Sequence, residues 1–341
     1  MTVTRELIRR LPKAELHVHL DGCIRPETML ELAREQDVRL PADDPATLAD
    51  AVFVRHADSL DEYLERYTIT VSVMQSAMAL ERIAYEFVLD AAADNVRYVE
   101  VRYCPALHTP ALTLEQAVEA PLAGFRRGEA ETGTVVRVIV CGLRTLAPSV
   151  SDDLAALAVA FRDSGVVAFD LAGSERGHPA AAHAAAFAHA RAHGLACTCH
   201  AGEAEGADSI RQALHVCGAQ RLGHGTRLFE DPALEDEVLE RGVPLEVCLT
   251  SNLHTHTVTD VSRHPVRRYF DRGGVVTLNT DSRLMDRTTL TDEYWLAHRA
   301  LGFTREELER VILDSFQSAF VDGDLKERLI ADARRELREV T

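Results

Sequence analysis

The sequence predicts an α/β fold, specifically a (β/α)8 TIM barrel, and three observations support this prediction. Short apolar segments alternate with helix-like segments along almost the whole chain. Several of the apolar segments are hydrophobic at nearly every position, which is typical of strands buried on both faces of a parallel sheet. The 341 residues exceed the roughly 250 that such a barrel needs, so an insertion and a C-terminal extension are also expected.

Each predicted strand is a short apolar run bounded by polar or turn-forming residues. The third and fourth strands are the clearest, because they lie in the longest apolar runs, although none approaches the roughly 18 residues of a membrane span. In chain order the predicted strands are Glu15–Leu20, Arg97–Tyr103, Val135–Leu143, Val166–Leu171, Ala196–His200, Arg221–Gly225, Pro244–Leu249 and Val275–Thr280.

The segments between these strands have the composition and length of amphipathic helices. The stretch from Ala180 to Ala192 is predicted to be helical rather than disordered, because alanine has the highest helix propensity. The predicted helices are Glu27–Gln36, Ala77–Asn95, Leu114–Thr132, Asp152–Ser164, Pro179–His193, Asp208–Cys217, Pro232–Arg241 and Val261–Arg272.

We predict one domain over residues 1–341, with a lid-like helical insertion at about 38–78, between the first two strands, and C-terminal helices at about 303–338. No internal repeat or low-complexity linker divides the chain. A doubly wound sheet would show the same alternation but normally carries an early phosphate-binding loop. Neither Gly-x-Gly-x-x-Gly nor Gly-x4-Gly-Lys-Ser/Thr occurs here, so the barrel is favoured.

The charge balance excludes some classes of partner. Lys and Arg number 37 against 54 Asp and Glu, giving a net charge of −17. Such a surface repels phosphate backbones and anionic lipids, so neither a nucleic acid nor a membrane is expected as a partner. The N-terminus lacks a signal-peptide pattern, and the seven cysteines form no Cys-x-x-Cys. These features indicate a cytoplasmic protein with reduced thiols. No pattern predicts the oligomeric state.

Polar residues concentrate where the predicted strands end. Active sites of such barrels lie at the carboxyl ends of the strands, so these residues are expected to meet at one mouth. The strand ends read His17-Val-His19, Asp170-Leu-Ala-Gly173, His200-Ala-Gly-Glu203, Gly223-His-Gly225, Thr250-Ser-Asn252 and Asn279-Thr-Asp-Ser282.

His17 and His19 are two residues apart on a strand, so both imidazoles point to the same side. His200 and Asp281, at the ends of the fifth and eighth strands, can complete a set of three imidazoles and one carboxylate. That set suits zinc and leaves room for a bound water, whose pKa zinc lowers to about 7. The alternative is a structural role for both residues, with His200 buried and hydrogen-bonded and Asp281 capping the next helix.

His224 and Glu203 are candidates for proton transfer. His224 lies between two glycines, which allow close backbone approach, and its imidazole titrates near neutral pH. It is expected to hold and deprotonate the water, or else to act as a further metal ligand. Glu203 lies just above the fifth strand, where burial could raise its pKa and let it donate a proton. Its alternative role is that of a helix-capping carboxylate.

Other histidines and cysteines receive structural interpretations. The histidines on or beside the Ala-rich helix are expected to face solvent: His178, His183, His189 and His193. His254 and His256 are expected in a plain loop after the seventh strand. Cys197 and Cys199 should face the helices, because His200 points inward.

Longer motifs surround the polar strand ends. The first is Leu11-Pro-Lys-Ala-Glu-Leu-His-Val-His-Leu-Asp-Gly22. The others, in chain order, are Arg82-Ile-Ala-Tyr-Glu-Phe87, Tyr98-Val-Glu-Val-Arg-Tyr103, Asp170-Leu-Ala-Gly173, His200-Ala-Gly-Glu203, Arg221-Leu-Gly-His-Gly225, Thr250-Ser-Asn252 and Leu278-Asn-Thr-Asp281. Through these motifs the sequence resembles the adenosine deaminase family over roughly residues 10–320.

The resemblance implies a set of roles for these residues. One zinc ion per chain would be bound by His17, His19, His200 and Asp281, and the activated water would attack C6 of an aminopurine nucleoside. Glu203 would protonate N1, while His224 and Asp281 would orient and deprotonate the water. The residues implied in substrate binding are His19, Asp21, Gly173 and Ser282, with Gly173 on N3 and Asp21 on the ribose 5′-hydroxyl.

Two positions bear on the substrate. Asp21 favours adenosine or 2′-deoxyadenosine, in purine salvage, since related adenine deaminases usually have glutamate there. Ser282 departs from the family pattern, in which a second aspartate contacts N7, and Arg283 stands where proline is common. The alternatives are therefore a deaminase of adenine or of a 5′-modified adenosine such as aminodeoxyfutalosine. A catalytically silent nucleoside-binding relative is the non-enzyme alternative.

Overall fold

The computed structural model describes residues 3–55 and 57–340, so residues 1, 2, 56 and 341 of the predicted domain and lid lie outside it. Eight strands form one sheet in the order β1 to β8, and all neighbouring pairs are parallel. The predicted TIM barrel is confirmed. The strands are β1 (Lys13–His19), β2 (Val96–Tyr103), β3 (Val135–Leu143), β4 (Val166–Ala172), β5 (Ala196–Ala201), β6 (Arg221–His224), β7 (Leu245–Val247) and β8 (Val276–Leu278).

The barrel closes between β8 and β1 through side chains as well as backbone. Asn279 Oδ1 accepts the N–H groups of Leu16 at 2.8 Å and of His17 at 3.1 Å. The Asp281 N–H donates to the His17 carbonyl at 3.1 Å, and the Asp281 carbonyl accepts the His19 N–H at 2.7 Å. Asp281 has φ 61°, a left-handed conformation that is costly for a non-glycine residue. These hydrogen bonds between β1 and the residues after β8 hold Asp281 beside the carboxyl end of β1.

β7 and β8 are shorter than the predicted strands Pro244–Leu249 and Val275–Thr280. Leu249 already begins a helix, and after Leu278 the side chain of Asn279, rather than its backbone, pairs with β1. Local hydrophobicity does not reveal either change, because both ends remain buried.

Helices surround the sheet and also extend across its ends. The α-helices are α1 (Arg5–Arg10), α2 (Pro26–Gln36), α3 (Pro45–Val52), α4 (Leu60–Leu64), α5 (Tyr67–Ser72), α6 (Ala77–Ala93), α7 (Leu114–Thr132), α8 (Pro148–Ala160), α9 (Ala184–Ala192), α10 (Ala207–Arg211), α11 (Pro232–Glu240), α12 (Leu249–His254), α13 (Val266–Asp271), α14 (Arg283–Asp286), α15 (Leu290–Leu301), α16 (Arg305–Ser318) and α17 (Gly323–Glu339). Among the described residues, no helix combines the length and apolar content that a membrane crossing requires.

Four predicted helices are less regular than expected. The predicted Asp152–Ser164 divides at Phe161 into α8 and a 3-10 turn, Arg162–Ser164. The predicted Val261–Arg272 divides into a 3-10 turn, Val261–Arg263, and α13, because Pro265 between them has no N–H to donate. The predicted Pro179–His193 likewise begins with a 3-10 turn before α9, and Asp208–Cys217 ends in a π turn after α10. The segments are helical, but their hydrogen-bonding pattern changes along them.

Between β1 and β2, helices α3 to α5 fill the predicted insertion, and the chain around them is fastened to the loops after β7 and β8. The Val54 N–H donates to the Met285 carbonyl at 3.1 Å, and the Ala57 N–H donates to the His254 carbonyl at 3.0 Å. The Tyr63 hydroxyl adds a 2.9 Å hydrogen bond to Asp286 Oδ2. These contacts hold the insertion at the carboxyl ends of the strands.

The C-terminal helices meet the opposite end of the barrel, where the strands begin. Arg221, the first residue of β6, donates to the Ser318 carbonyl at 2.8 Å, and its guanidinium lies 3.6 Å from the centroid of the Phe320 ring. The C-terminal extension therefore covers the end of the barrel that lies away from the predicted site.

Candidate active site

The four predicted metal ligands come together at the carboxyl ends of β1, β5 and β8. His19 Nε2 lies 3.1 Å from His200 Nε2 and 3.4 Å from Asp281 Oδ1, and His17 Nε2 lies 3.5 Å from the same oxygen. One potential ligand atom from each side chain lies within 4.8 Å of all the others. His17 and His19 point to the same side of β1, as the two-residue spacing predicts.

These residues fit a divalent metal ion. His17 Nε2 is buried and has no hydrogen-bond partner among the described residues. Two imidazole nitrogens facing each other at 3.1 Å can share one cation, and a carboxylate oxygen beside them supplies negative charge. Three imidazoles and one carboxylate match the ligands that zinc prefers.

Two of these histidines have their ring orientations fixed by carboxylates that bind Nδ1, on the opposite side of the ring from the Nε2 atom that faces the other ligands. His17 Nδ1 donates to Glu246 Oε2 at 2.9 Å, and His200 Nδ1 donates to Asp170 Oδ2 at 3.0 Å. Arg102 donates to both carboxylates at 2.8 Å. Each imidazole therefore directs its Nε2 lone pair toward the cluster, an arrangement that raises ligand basicity.

Sequence reasoning missed Arg102 and Glu246, and it gave Asp170 no role beyond its position at a strand end. The available signal was charge inside otherwise apolar strands. Burial alone would raise the pKa of Glu246, but the guanidinium groups of Arg102 and Arg221 outweigh it and hold that pKa well below its usual range. Fully buried charges are rare unless they are paired, so a charged residue within such a strand indicates a partner across the barrel.

We expect Glu246→Gln to weaken zinc binding by about 10–100-fold, the usual effect of removing a partner that orients a metal-bound histidine. A competition titration against a chelator measures this affinity. Glu100→Gln is the matched control, because Glu100 is an equally buried carboxylate that pairs with Arg221 but contacts none of the four cluster residues. Equal zinc affinity in Glu246→Gln and the wild-type protein would contradict the orienting role.

Glu203 lies at the same mouth and is 5% exposed. Burial, together with the negative charges of Asp281 and Glu175, raises the pKa of Glu203 well above its usual range. A raised pKa favours the protonated carboxyl, which is the form that can donate a proton. The capping alternative does not fit the structure, since α10 begins after Gly206 with no side-chain cap.

His224 is held in one tautomer by its neighbours. Asn252 Oδ1 accepts hydrogen bonds from Thr226 Oγ1 at 3.0 Å and His264 Nε2 at 3.1 Å. This orientation directs the Asn252 amide N–H to His224 Nδ1, 3.1 Å away. The ring proton of His224 therefore resides on Nε2, which lies 3.5 Å from Glu203 Oε2.

Two further features constrain His224. Burial lowers its pKa well below the usual range, so the ring is neutral. A Cβ on Gly223 would lie 2.9 Å from His200 Cα, which explains the need for glycine before His224. His224, Cys248 and Asp281 also place potential ligand atoms within 4.8 Å of one another, but an imidazole that accepts a hydrogen bond at Nδ1 and carries its proton on Nε2 has no free lone pair for a metal.

A cavity of about 410 Å³ opens above the cluster. It is lined on the barrel side by seven predicted site residues: His19, Asp21, Gly173, His200, Glu203, His224 and Asp281. On the other side, residues of α4 and α5 line it, Tyr67 among them. Burial raises the pKa of Asp21 to about 7, and its Oδ1 has no hydrogen-bond partner among the described residues.

Ser282 does not line this cavity, contrary to the direct contact with substrate expected from the sequence. Its side chain is fully buried, and its Oγ lies 2.5 Å from the hydroxyl oxygen of Tyr67. Serine is short, and α5 places a tyrosine between it and the cavity. Tyr67, which sequence reasoning did not single out, therefore borders the space where Ser282 was expected.

Among the other histidines, the prediction for His183 is wrong. His183 is 2% exposed, with Nδ1 2.8 Å from Ser151 Oγ, because it ends the 3-10 turn before α9 and points toward α8. His189 and His193 are exposed as predicted, whereas His178 is partly buried. His254 lies on α12 rather than in a plain loop, and its Nδ1 pairs with Asp286.

Comparison with known sequences extends over nearly the whole chain. Residues 12–335 match the family described as adenosine deaminase. A probable adenosine deaminase from Dictyostelium discoideum is 43% identical over 326 residues, covering 95% of this chain but only 42% of that protein. An adenosine deaminase from Mycolicibacterium gilvum is 43% identical over 340 residues, covering 94% of this chain and 93% of that protein.

Solved structures share the complete architecture. An adenine deaminase from Arthrobacter aurescens superposes with a TM-score of 0.90 at 25% identity, over 96% of this chain and 99% of the other. An amidohydrolase from Burkholderia ambifaria with bound Zn gives 0.90 at 26% identity, over 100% and 95%. An N6-mAMP deaminase from Arabidopsis gives 0.87 at 28% identity, over 97% and 99%.

Proposed function

The chain belongs to the adenosine deaminase family of hydrolytic deaminases, and from this premise we propose that it converts adenosine and 2′-deoxyadenosine to inosine and 2′-deoxyinosine, releasing ammonia. One observation carries the proposal: a buried carboxyl, a neutral imidazole and a cluster of metal-ligating side chains meet at one cavity of about 410 Å³. That volume is within the usual range for small-molecule sites.

One zinc ion per chain belongs to this proposal, held by His17, His19, His200 and Asp281. The ligand chemistry of the cluster supports zinc, as does the similarity to the Burkholderia protein with bound Zn. When bound, such an ion makes water a competent nucleophile at neutral pH.

The side chains around the cavity have separate tasks in the proposed reaction. Water adds to C6 of the purine while the protonated Glu203 donates its proton to N1, which removes the aromatic stabilisation of the ring. His224 presents an N–H at Nε2 and so orients the attacking oxygen. Asp281 is left to take the proton from water and to return it to the amino group, so that the C6–N bond of the tetrahedral carbon breaks with release of ammonia. The proton that the C6 hydroxyl loses as the carbonyl forms replaces the one that Glu203 gave to N1.

The charge of the cavity favours an uncharged nucleoside. Its lining contains Asp21, Asp61 and Glu65 but, among the residues that the structure describes, neither lysine nor arginine. A 5′-phosphate would therefore be buried there without a counter-charge from these side chains. Arg176 and Arg227 line a neighbouring cleft, where Arg227 is paired with Glu230 at 2.6 Å. A free base would leave the buried Asp21 carboxylate without the hydroxyl proposed to bond to it, at a cost of about 1–3 kcal/mol.

We expect ammonia release by zinc-loaded protein to be fastest with adenosine and 2′-deoxyadenosine. AMP should react on the order of 10²-fold more slowly in kcat/KM, because the phosphate is desolvated beside carboxylates. Adenine and 5′-modified adenosines such as aminodeoxyfutalosine complete the panel. Faster ammonia release from adenine or from a 5′-modified adenosine would support the alternative substrates suggested by Ser282. Ammonia release from none of the compounds would favour a catalytically silent nucleoside-binding relative.

The proposal also covers the role of the insertion, the cellular location of the enzyme and its metabolic pathway. Helices α4 and α5 border the cavity, so we assign the insertion at 38–78 as a lid on a single domain that excludes water during turnover. All seven cysteines are free thiols, which supports a cytoplasmic enzyme. Its reaction suits purine salvage.

A further inference from the structure

We propose that Glu175 is a positioning residue, whose carboxylate holds the backbone of residues 202–205 so that Glu203 meets the substrate. Glu175 lies on the loop after β4, two residues beyond Gly173, and is 3% exposed. Its two oxygens accept five hydrogen bonds from the loop after β5 and the start of α10. The donors are the N–H groups of Gly202 (2.9 Å), Glu203 (3.0 Å), Ala204 (2.6 Å) and Glu205 (2.7 Å) and the hydroxyl of Ser209 (2.7 Å).

A carboxylate is the side chain that this loop requires. Consecutive N–H groups that point into one concavity form an anion-binding nest, and buried N–H groups without a partner are costly. Gly202 has φ 71°, which turns the chain so that its N–H joins those of the next three residues. An amide in place of the carboxylate would direct its own N–H group toward these donors.

Glu175 also connects two parts of the site. The loop after β4 carries Gly173, which lines the cavity, and the loop after β5 carries Glu203. Because the carboxylate of one loop binds the backbone of the other, the two cavity walls are held at a fixed separation. The negative charge of Glu175, like that of Asp281, raises the pKa of Glu203.

This inference rests on the proposed function, and the test separates the two. Glu175→Gln should lower kcat for adenosine by on the order of 10²-fold, the effect of a misplacement of about 1 Å in a catalytic group. KM and zinc content should stay within threefold of the wild-type values, because the other expected contacts come from Asp21 and Gly173. Hydrogen exchange should accelerate at the amides of residues 202–205.

Glu235→Gln is the matched control for the loss of a buried carboxylate. Glu235 is fully buried and pairs with Arg268 and Arg272 at 2.6 Å, away from the cavity lining. This variant should lose stability without losing kcat. If Glu175→Gln does not fold, Glu175→Asp keeps the charge but is one methylene shorter, and an intermediate loss of kcat is expected.

Three results would overturn the positioning role. They are a kcat within threefold of wild type in Glu175→Gln, a fall in kcat matched by a loss of zinc, or an equal fall in Glu235→Gln. Wild-type protein that releases no ammonia would instead contradict the proposed function. In that event, unchanged exchange of the 202–205 amides in Glu175→Gln would still reject the role of Glu175.

Discussion

Replacing Glu203 with glutamine is expected to lower kcat for adenosine by about 10²–10⁴-fold, the usual contribution of a positioned general acid. Glutamine preserves the size of the side chain but has no acidic proton to give to N1. The carboxyl is suited to this task because burial raises its pKa well above the usual range, which favours the protonated form that can donate. Zinc content should not change, since Glu203 is not part of the metal-ligand cluster.

Glu205→Gln is the matched control for this variant. Glu205 lies on the same loop and its side chain is 45% exposed, so the substitution removes a carboxylate without affecting the cavity. Steady-state kinetics and metal analysis of the two variants provide the comparison. Activity of Glu203→Gln within tenfold of wild type would remove Glu203 from the mechanism.

Replacing His17 with glutamine is expected to have the second large effect, through the loss of bound zinc. His17 Nε2 is buried and has no hydrogen-bond partner among the described residues, and its Nδ1 donates to Glu246 Oε2 at 2.9 Å. The variant removes one of three imidazoles and leaves Glu246 without its imidazole partner. Turnover should fall by more than about 10³-fold, because the pKa of water that no metal activates lies far above the value of about 7 that zinc-bound water has.

His183→Gln provides the control, because His183 is also buried but hydrogen bonds to Ser151 outside the cluster. It should retain zinc and activity. Chelation of the wild-type protein should reproduce the inactivity of His17→Gln, and returning zinc should restore only the wild-type protein. Full zinc occupancy in His17→Gln would show that His17 is not a ligand, and reconstitution with other divalent ions would test the identity of the metal.

The order of strands and helices could be predicted because it depends on local patterns. Apolar runs predicted the eight strands that the structure contains, and the rule that barrel sites lie at strand ends located His17, His19, His200 and Asp281. The predicted boundaries of β7 and β8 were wrong, since there a helix start and an asparagine side chain take over from the sheet.

The partners of these residues could not be predicted in the same way. Arg102 joins Asp170 and Glu246 across 68 and 144 residues of sequence, and Asn252 fixes the tautomer of His224 across 28. The burial of His183 and the position of Tyr67 over Ser282 have the same origin, because each depends on how separate elements pack.

The sequence by itself therefore determined the barrel, the side chains offered at its mouth and the resemblance to one family of deaminases. The tertiary structure alone decided which carboxylates orient the metal ligands, which residue borders the cavity in place of Ser282, and how Glu175 supports the loop of Glu203. The physical reason is that hydrophobic periodicity and strand-end position are properties of short segments. Hydrogen bonds and ion pairs between distant segments acquire their geometry, and their strength in a low dielectric, only when the chain has folded.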